Sequence, residues 1–172
     1  MKHRVTLLLL LVALAACAGG CHSTEPGLDP NGVFRVAPVR PVAELLPIAL
    51  AATPPAQNGD FRPADLVELS VLDPTFELDI RYATTRNLLG TPLYSQPRAF
   101  LQRPAAEALV RVQRSLQVDG YGLLVYDAYR PWYVTKVFWD AVPPTLHRFV
   151  ADPATGSRHN RRAVSGSALA PR

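Results

Sequence analysis

The sequence predicts an α+β fold, a small mixed domain with an antiparallel sheet and flanking helices. Three observations predict it. Residues 66–72 and 76–82 alternate in the two-residue period of half-buried strands. Pro104 to Leu116 carries the helical period and runs out at Gly120. Gly122 to Tyr126 is then a short, nearly uninterrupted apolar run of strand type, followed by a second helical segment from Trp132 to Ala141.

Length and composition set the frame. At 172 residues, with 48% hydrophobic and 19% charged side chains, the chain suits one globular domain and not a disordered one. Its opening reads as an export leader: Lys2 and Arg4 form the charged start, Leu7 to Leu14 the apolar stretch, and Leu14-Ala15-Ala16-Cys17 a small-residue cleavage site ending in cysteine. That tetrapeptide resembles a bacterial lipobox, with cleavage and lipidation at Cys17; Cys21 is the weaker alternative. The apolar run falls short of the roughly 20 residues a spanning helix needs. The expectation is an exported lipoprotein, membrane-anchored through Cys17 and facing the periplasm or cell exterior, with residues 1–16 as its signal peptide.

Cys17 and Cys21 are the two cysteines, and both precede the body, which excludes a disulfide framework or thiol nucleophile there. The net charge of +4 falls to +2 once Lys2 and Arg4 are set aside, too little for a nucleic-acid footprint. Many of the seventeen prolines lie before residue 65, with Pro54-Pro55 and Asn58-Gly59 among Ala and Gly, so residues 17–63 read as a Pro/Ala-rich tether. The apolar stretch Leu45 to Leu50 has docking on the body as its alternative.

The body, 64–172, follows element by element. Leu66 to Leu72 sets Leu66, Glu68 and Ser70 against Val67, Leu69 and Val71, and Asp73-Pro74 turns the chain into a second strand from Phe76 to Tyr82. Residues 86–103 lack a sustained period and contain Gly90, Pro92 and Pro97, which predicts a long loop packed over the domain. Proline is tolerated in the first helical turn, so Pro104 opens a helix whose inward stripe is expected at Ala105, Leu109, Val112 and Leu116. After the strand Gly122 to Tyr126, Pro131 starts the second helix, and Pro143-Pro144 closes it. Trp132, Tyr133, Phe138 and Trp139 are assigned to packing.

Two polar stretches interrupt this scaffold. Tyr126-Asp127-Ala128-Tyr129-Arg130-Pro131 delivers an arginine to the end of a strand, and Gly156-Ser157-Arg158-His159-Asn160-Arg161 offers a histidine from a polar loop. A solvated turn is the plain reading of the second; metal ligation is the functional one. Together with Asp79-Ile80-Arg81-Tyr82-Ala83-Thr84-Thr85-Arg86-Asn87 and Arg98-Ala99-Phe100-Leu101, these motifs resemble the D-alanyl-D-alanine dipeptidases, zinc metallopeptidases of the VanX type, over roughly residues 65–161.

The resemblance implies zinc-dependent hydrolysis of the D-Ala-D-Ala dipeptide in cell-wall metabolism. It gives His159 as a zinc ligand, Arg130 as the group that stabilises the tetrahedral oxyanion, Ser157 as a substrate contact and Asp127 as a partner that orients the site. A surface ion pair of Arg130 with Asp127 or Asp152 is the plain alternative.

A zinc peptidase needs three protein ligands, an open position for water and a carboxylate base. In the family pattern a glycine and then, seven positions after the histidine, an aspartate follow; here those positions hold Arg162 and Gly166. After His159 the sequence has no Asp, Glu, His or Cys, and His147 is the remaining histidine of the body. The expectation is a metal site incomplete in sequence, a domain incomplete at its C-terminus, an aberrant tail from about residue 162 such as a lost reading frame would give, and little or no activity. A non-catalytic lipoprotein that binds cell-wall peptides is the alternative from a different class.

Overall fold

The computed structural model describes residues 26–56, 58–60, 63–161 and 166–171; the leader with Cys17 and Cys21, and the segment 162–165, lie outside them. The α+β architecture is as expected. Its axis is β6, Tyr121–Asp127, which pairs in parallel with β4, Glu77–Leu78, and antiparallel with β7, Gly166–Pro171, to give a three-stranded mixed sheet in the order β4-β6-β7. A second, antiparallel pair joins β3, Leu66–Glu68, to β5, Phe100–Gln102, with Leu66 opposite Gln102 and Glu68 opposite Phe100. β1, Gly27–Leu28, and β2, Phe34–Arg35, form a separate hairpin.

β6 earns its central place from composition. Gly122, Leu123 and Val125 are buried along it, and α3, Arg103–Gln117, covers it. The inward face of α3 is Ala106, Val110 and Gln113; Val112, expected inside, is 47% exposed. Gln113 sets this rotation. Its Oε1 accepts the Leu123 amide at 2.7 Å and its Nε2 donates to the Thr75 carbonyl at 2.8 Å, so a fully buried glutamine has partners at both ends of its amide. Leu109 and Leu116 line the edges of the same core. Gly120 stands at φ +78°, the left-handed conformation that lets the chain turn from α3 into β6.

The two expected strands before α3 are shorter than their alternation suggests. Only Leu66–Glu68 extends; Leu69–Leu72 winds into a helical turn, α2, in which the Asp73 amide donates to the Leu69 carbonyl at 2.9 Å. Leu69 is fully buried while Val71 is 77% exposed, so one inward side chain per turn satisfies the core. In the second segment, β4 gives way to a 3₁₀ turn at Arg81–Ala83. The two do not pair with each other, because β3 takes β5 and β4 takes β6. Residues 86–99 are irregular and packed down by buried Leu89 and Leu93.

α4 spans Trp132–Ala141, as the sequence predicts, with Val134, Val137, Phe138 and Ala141 buried. Against it lies α1, Val42–Ala51, which buries Val42, Leu45 and Ala49. The stretch Leu45 to Leu50 therefore docks on the body. The end of the tail forms a strand: Gly166–Pro171 alternates between half-buried and exposed along β7, with Gly122 opposite Ala170 and Leu124 opposite Ala168. Small residues supply few contacts there, so backbone pairing with β6 holds the strand. Among the described residues no helix is long and apolar enough to cross a membrane.

Candidate active site

The chain leaves β6 through Asp127-Ala128-Tyr129-Arg130-Pro131 and enters α4, and this crossing lies between the two cores. The Tyr129 amide is held by the Phe100 carbonyl at 2.8 Å, and Pro131, in an extended conformation, precedes the first turn of α4. A short helix, α5, Arg158–Arg161, docks on the same crossing: the Arg130 amide donates to the His159 carbonyl at 3.1 Å, and Asn160 Nδ2 donates to the Arg130 carbonyl at 2.6 Å. Asn160 Oδ1 also accepts the Ser157 amide at 2.8 Å and the Thr135 hydroxyl at 3.1 Å. The two motifs, some thirty residues apart in sequence, are thus pinned together largely by one asparagine amide.

Asp127 is the hub of the side chains. Its Oδ2 pairs with Arg130 Nη2 at 2.7 Å and faces His159 Nδ1 at 3.4 Å, while its Oδ1 accepts the Tyr94 hydroxyl at 3.1 Å. His159 Nδ1 also lies 3.3 Å from the Ala128 carbonyl. Arg130 Nη2 reaches the Tyr82 hydroxyl at 3.2 Å, and the guanidinium sits over the Tyr82 ring, 4.7 Å from its centre. The Arg130 and Asp127 side chains are 14% and 9% exposed, so this is a buried pair and not a surface one. Asp152 is engaged elsewhere, capping its own turn through the Ala154 amide at 2.7 Å.

Burial and the negative charge of Asp127 both favour the neutral phenol, so Tyr94 and Tyr82 are pushed above the ordinary tyrosine range. Burial works against the Arg130 charge, but Tyr82 and Asp127 more than offset it and raise its pKa, so the guanidinium stays charged. Arg130 Nε is buried without an acceptor among the described residues. Beside it is a cavity of about 100 Å³ walled by Tyr82, Phe138, Thr135 and Val150. A larger, open pocket of about 460 Å³ adjoins the crossing, with Tyr94, Tyr129, Tyr133, Phe100 and Pro131 in its walls.

Arg130 and His159 of the sequence reading are therefore brought together, with Asp127 between them. Ser157 is buried at the start of α5, where its hydroxyl accepts the Asn160 amide at 3.3 Å. His147 stacks on Trp139, with ring centres 3.8 Å apart, and its Nε2 lies 3.1 Å from the Trp139 and Val142 carbonyls, away from the cluster's contacts. The reading missed Tyr82, Tyr94 and Asn160. Tyr82 and Asn160 were legible as members of quoted motifs but not in these roles, whereas Tyr94 carries no local signal, since only folding turns it toward Asp127.

The described residues do not fit a zinc ion. Among the described residues no group of three or more His, Cys, Asp or Glu could hold a metal. Both Asp127 oxygens are committed, to Tyr94 and to Arg130. Position 166, seven residues after His159 and directly opposite Asp127 across β6 and β7, is glycine and offers no donor.

Comparisons with known proteins give the family of the folded body. A family model described as D-ala-D-ala dipeptidase matches residues 62–167, which takes in β3 to α5, the Asp127–Arg130–His159 cluster and the start of β7. The curated D-alanyl-D-alanine dipeptidase of Escherichia coli (strain K12) is 36% identical over 97 residues, 56% of this chain and 49% of that protein. That of Enterococcus faecium is 36% identical over 69 residues, 38% of this chain and 34% of that protein. The chain thus spans about half or less of the length of these relatives. With the match running through most of the folded body and both polar motifs, the chain belongs to the D-ala-D-ala dipeptidase family.

Proposed function

We propose that this chain carries the framework of a zinc-dependent hydrolase of the D-alanyl-D-alanine dipeptide and is itself inactive or nearly so. Arg130 is the oxyanion-stabilising group in this reading, His159 a metal ligand, Ser157 a substrate contact and Asp127 the residue that orients the other two. A fixed, always-charged guanidinium suits charge that develops only in a transition state. The observation that carries the reading is the buried Asp127–Arg130 pair with His159 beside it and glycine facing Asp127 from β7. The framework that aims the groups is present, while among the described residues glycine stands opposite Asp127 and no group of three metal donors forms, where a catalytic zinc requires three protein ligands.

Calorimetric titration of the full chain with zinc tests this. Weak binding without a defined stoichiometry is expected. A Cβ at residue 166 would lie 3.9 Å from Asp127 Cβ, an ordinary contact, so a side chain has room there. Gly166→Asp should tighten zinc binding by about tenfold or more, equivalent to about 1.4 kcal/mol. Tight stoichiometric binding by the unsubstituted chain, lost on His159→Ala, would overturn the proposal.

The cellular setting belongs to the same reading: residues 1–16 as an export signal, Cys17 lipidated, and the body held at the membrane facing the periplasm or cell exterior, where cell-wall peptides are found. Cys17→Ser should abolish incorporation of labelled fatty acid and release the protein from the membrane fraction, and Cys21→Ser should do neither. Label that follows Cys21 instead would move the anchor.

A further inference from the structure

The family match begins at residue 62, yet residues 27–51 are fastened to the loop 84–91 and to α4, which carry residues of the site. In the turn between β1 and β2, Asp29 Oδ1 accepts the amides of Asn31 and Val33, both at 2.9 Å. Its Oδ2 takes Arg35 Nε at 2.9 Å and Nη2 at 2.8 Å. Such a two-pronged grip fixes the guanidinium plane. The third nitrogen, Nη1, then donates to the carbonyls of Thr85 and Asn87. Gly90, at φ +67°, closes the cradle; a Cβ there would stand 3.3 Å from Nη1, so a bare backbone permits the approach.

The strap is fastened again beyond this contact. The Val36 amide donates to the Leu88 carbonyl at 3.0 Å, the Val39 amide to the Ala141 carbonyl at 2.8 Å, and α1 then packs on α4. The gripped loop is stiff in itself: Asn87 Nδ2 donates to the Thr84 and Thr91 carbonyls at 2.6 and 2.9 Å, and its Oδ1 accepts the Leu89 amide at 3.0 Å. Tyr82 and Tyr94 flank that loop and are tied across its base, where the amides of Leu93 and Tyr94 meet the Tyr82 carbonyl at 2.7 and 2.9 Å. Their hydroxyls are the ones that touch Arg130 and Asp127.

We infer that Arg35 is a positioning residue, which through the loop 84–91 holds Tyr82 and Tyr94 against the Arg130–Asp127 pair. Losing it strips Thr85 and Asn87 of their charged donor while leaving both cores intact, so the wall opens locally before the domain unfolds. Hydrogen exchange at Arg130 Nε–H reads this without metal or substrate, because that group is buried and its guanidinium lies over the Tyr82 ring. Its resonance is assigned by its loss in Arg130→Lys.

In Arg35→Met the exchange should accelerate by roughly tenfold or more relative to Val110→Ala, a control in the other core, at conditions of equal global stability. Arg35→Lys, which keeps the charge but not the fork, should fall between parent and Arg35→Met. Equal acceleration in Arg35→Met and Val110→Ala would overturn the inference, since a merely structural residue acts through global stability alone. Unfolding of both Arg35 variants would overturn it too, because Arg35 would then hold the whole domain and not one wall.

Discussion

Asp127 shows how much one carboxylate organises here. Arg130, His159 and Tyr94 converge on it, and with 9% of its side chain exposed it meets them largely out of water. Removing one partner of a buried ion pair leaves the other charge uncompensated, which typically costs about 3–5 kcal/mol. Asp127→Asn preserves shape and keeps an acceptor for Tyr94, so urea unfolding of this variant should show a loss in that range. A loss under about 1 kcal/mol, the value of a surface pair, would mean that solvent reaches Arg130.

Among the elements, the junction of α2 and α3 depends on a second carboxylate. Asp73 ends α2 and is 8% exposed at its side chain. The Thr75 hydroxyl lowers its pKa most, the Thr75 amide and Arg114 add to this, and burial works the other way. A folded-state value below the ordinary 3.8 means that the charged form contributes stability above that pH and loses it as pH falls through the folded value. Asp73→Asn should therefore be less stable than the parent at neutral pH by about 1–3 kcal/mol, as for a hydrogen-bonded buried charge. The gap should close as pH drops below 3.8; a gap that persists undiminished at lower pH would assign the effect to packing.

At the scale of the molecule, two cores share one crossing. The first lies between α3 and β6, the second between α1 and α4, and Tyr94 packs on both. α1 comes from the stretch that composition assigns to a tether, yet Leu45 is 1% exposed there. Truncating a buried leucine typically costs about 2–5 kcal/mol through lost burial and the cavity left behind. Leu45→Ala should lower stability by that amount in thermal or urea unfolding. A change within about 0.5 kcal/mol, usual for exposed positions, would show that the segment is free of the body in solution.

Several features were legible because their causes are local. Pro131 at the start and Pro143-Pro144 at the end bracket α4, Gly120 marks the end of α3 by its backbone freedom, and the short apolar run of β6 needs only burial to become the central strand. Arg130, His159 and Asp127 were legible as a motif, since their residue types and spacing survive without any knowledge of contacts.

The rest depends on partners far along the chain. Whether Leu69 continues a strand or begins a turn is settled by the Ala99 carbonyl that takes its amide, and the face of α3 by a glutamine whose two partners lie in β6 and before β4. Tyr94 and Arg35 look like ordinary loop residues until folding carries them to Asp127 and to the loop 84–91. Composition and period therefore determined the classes of element and the chemistry-bearing motifs, because those follow from each residue and its near neighbours. The tertiary structure alone decided which polar groups meet, because a buried amide, carboxylate or guanidinium adopts the geometry of whatever distant group satisfies it.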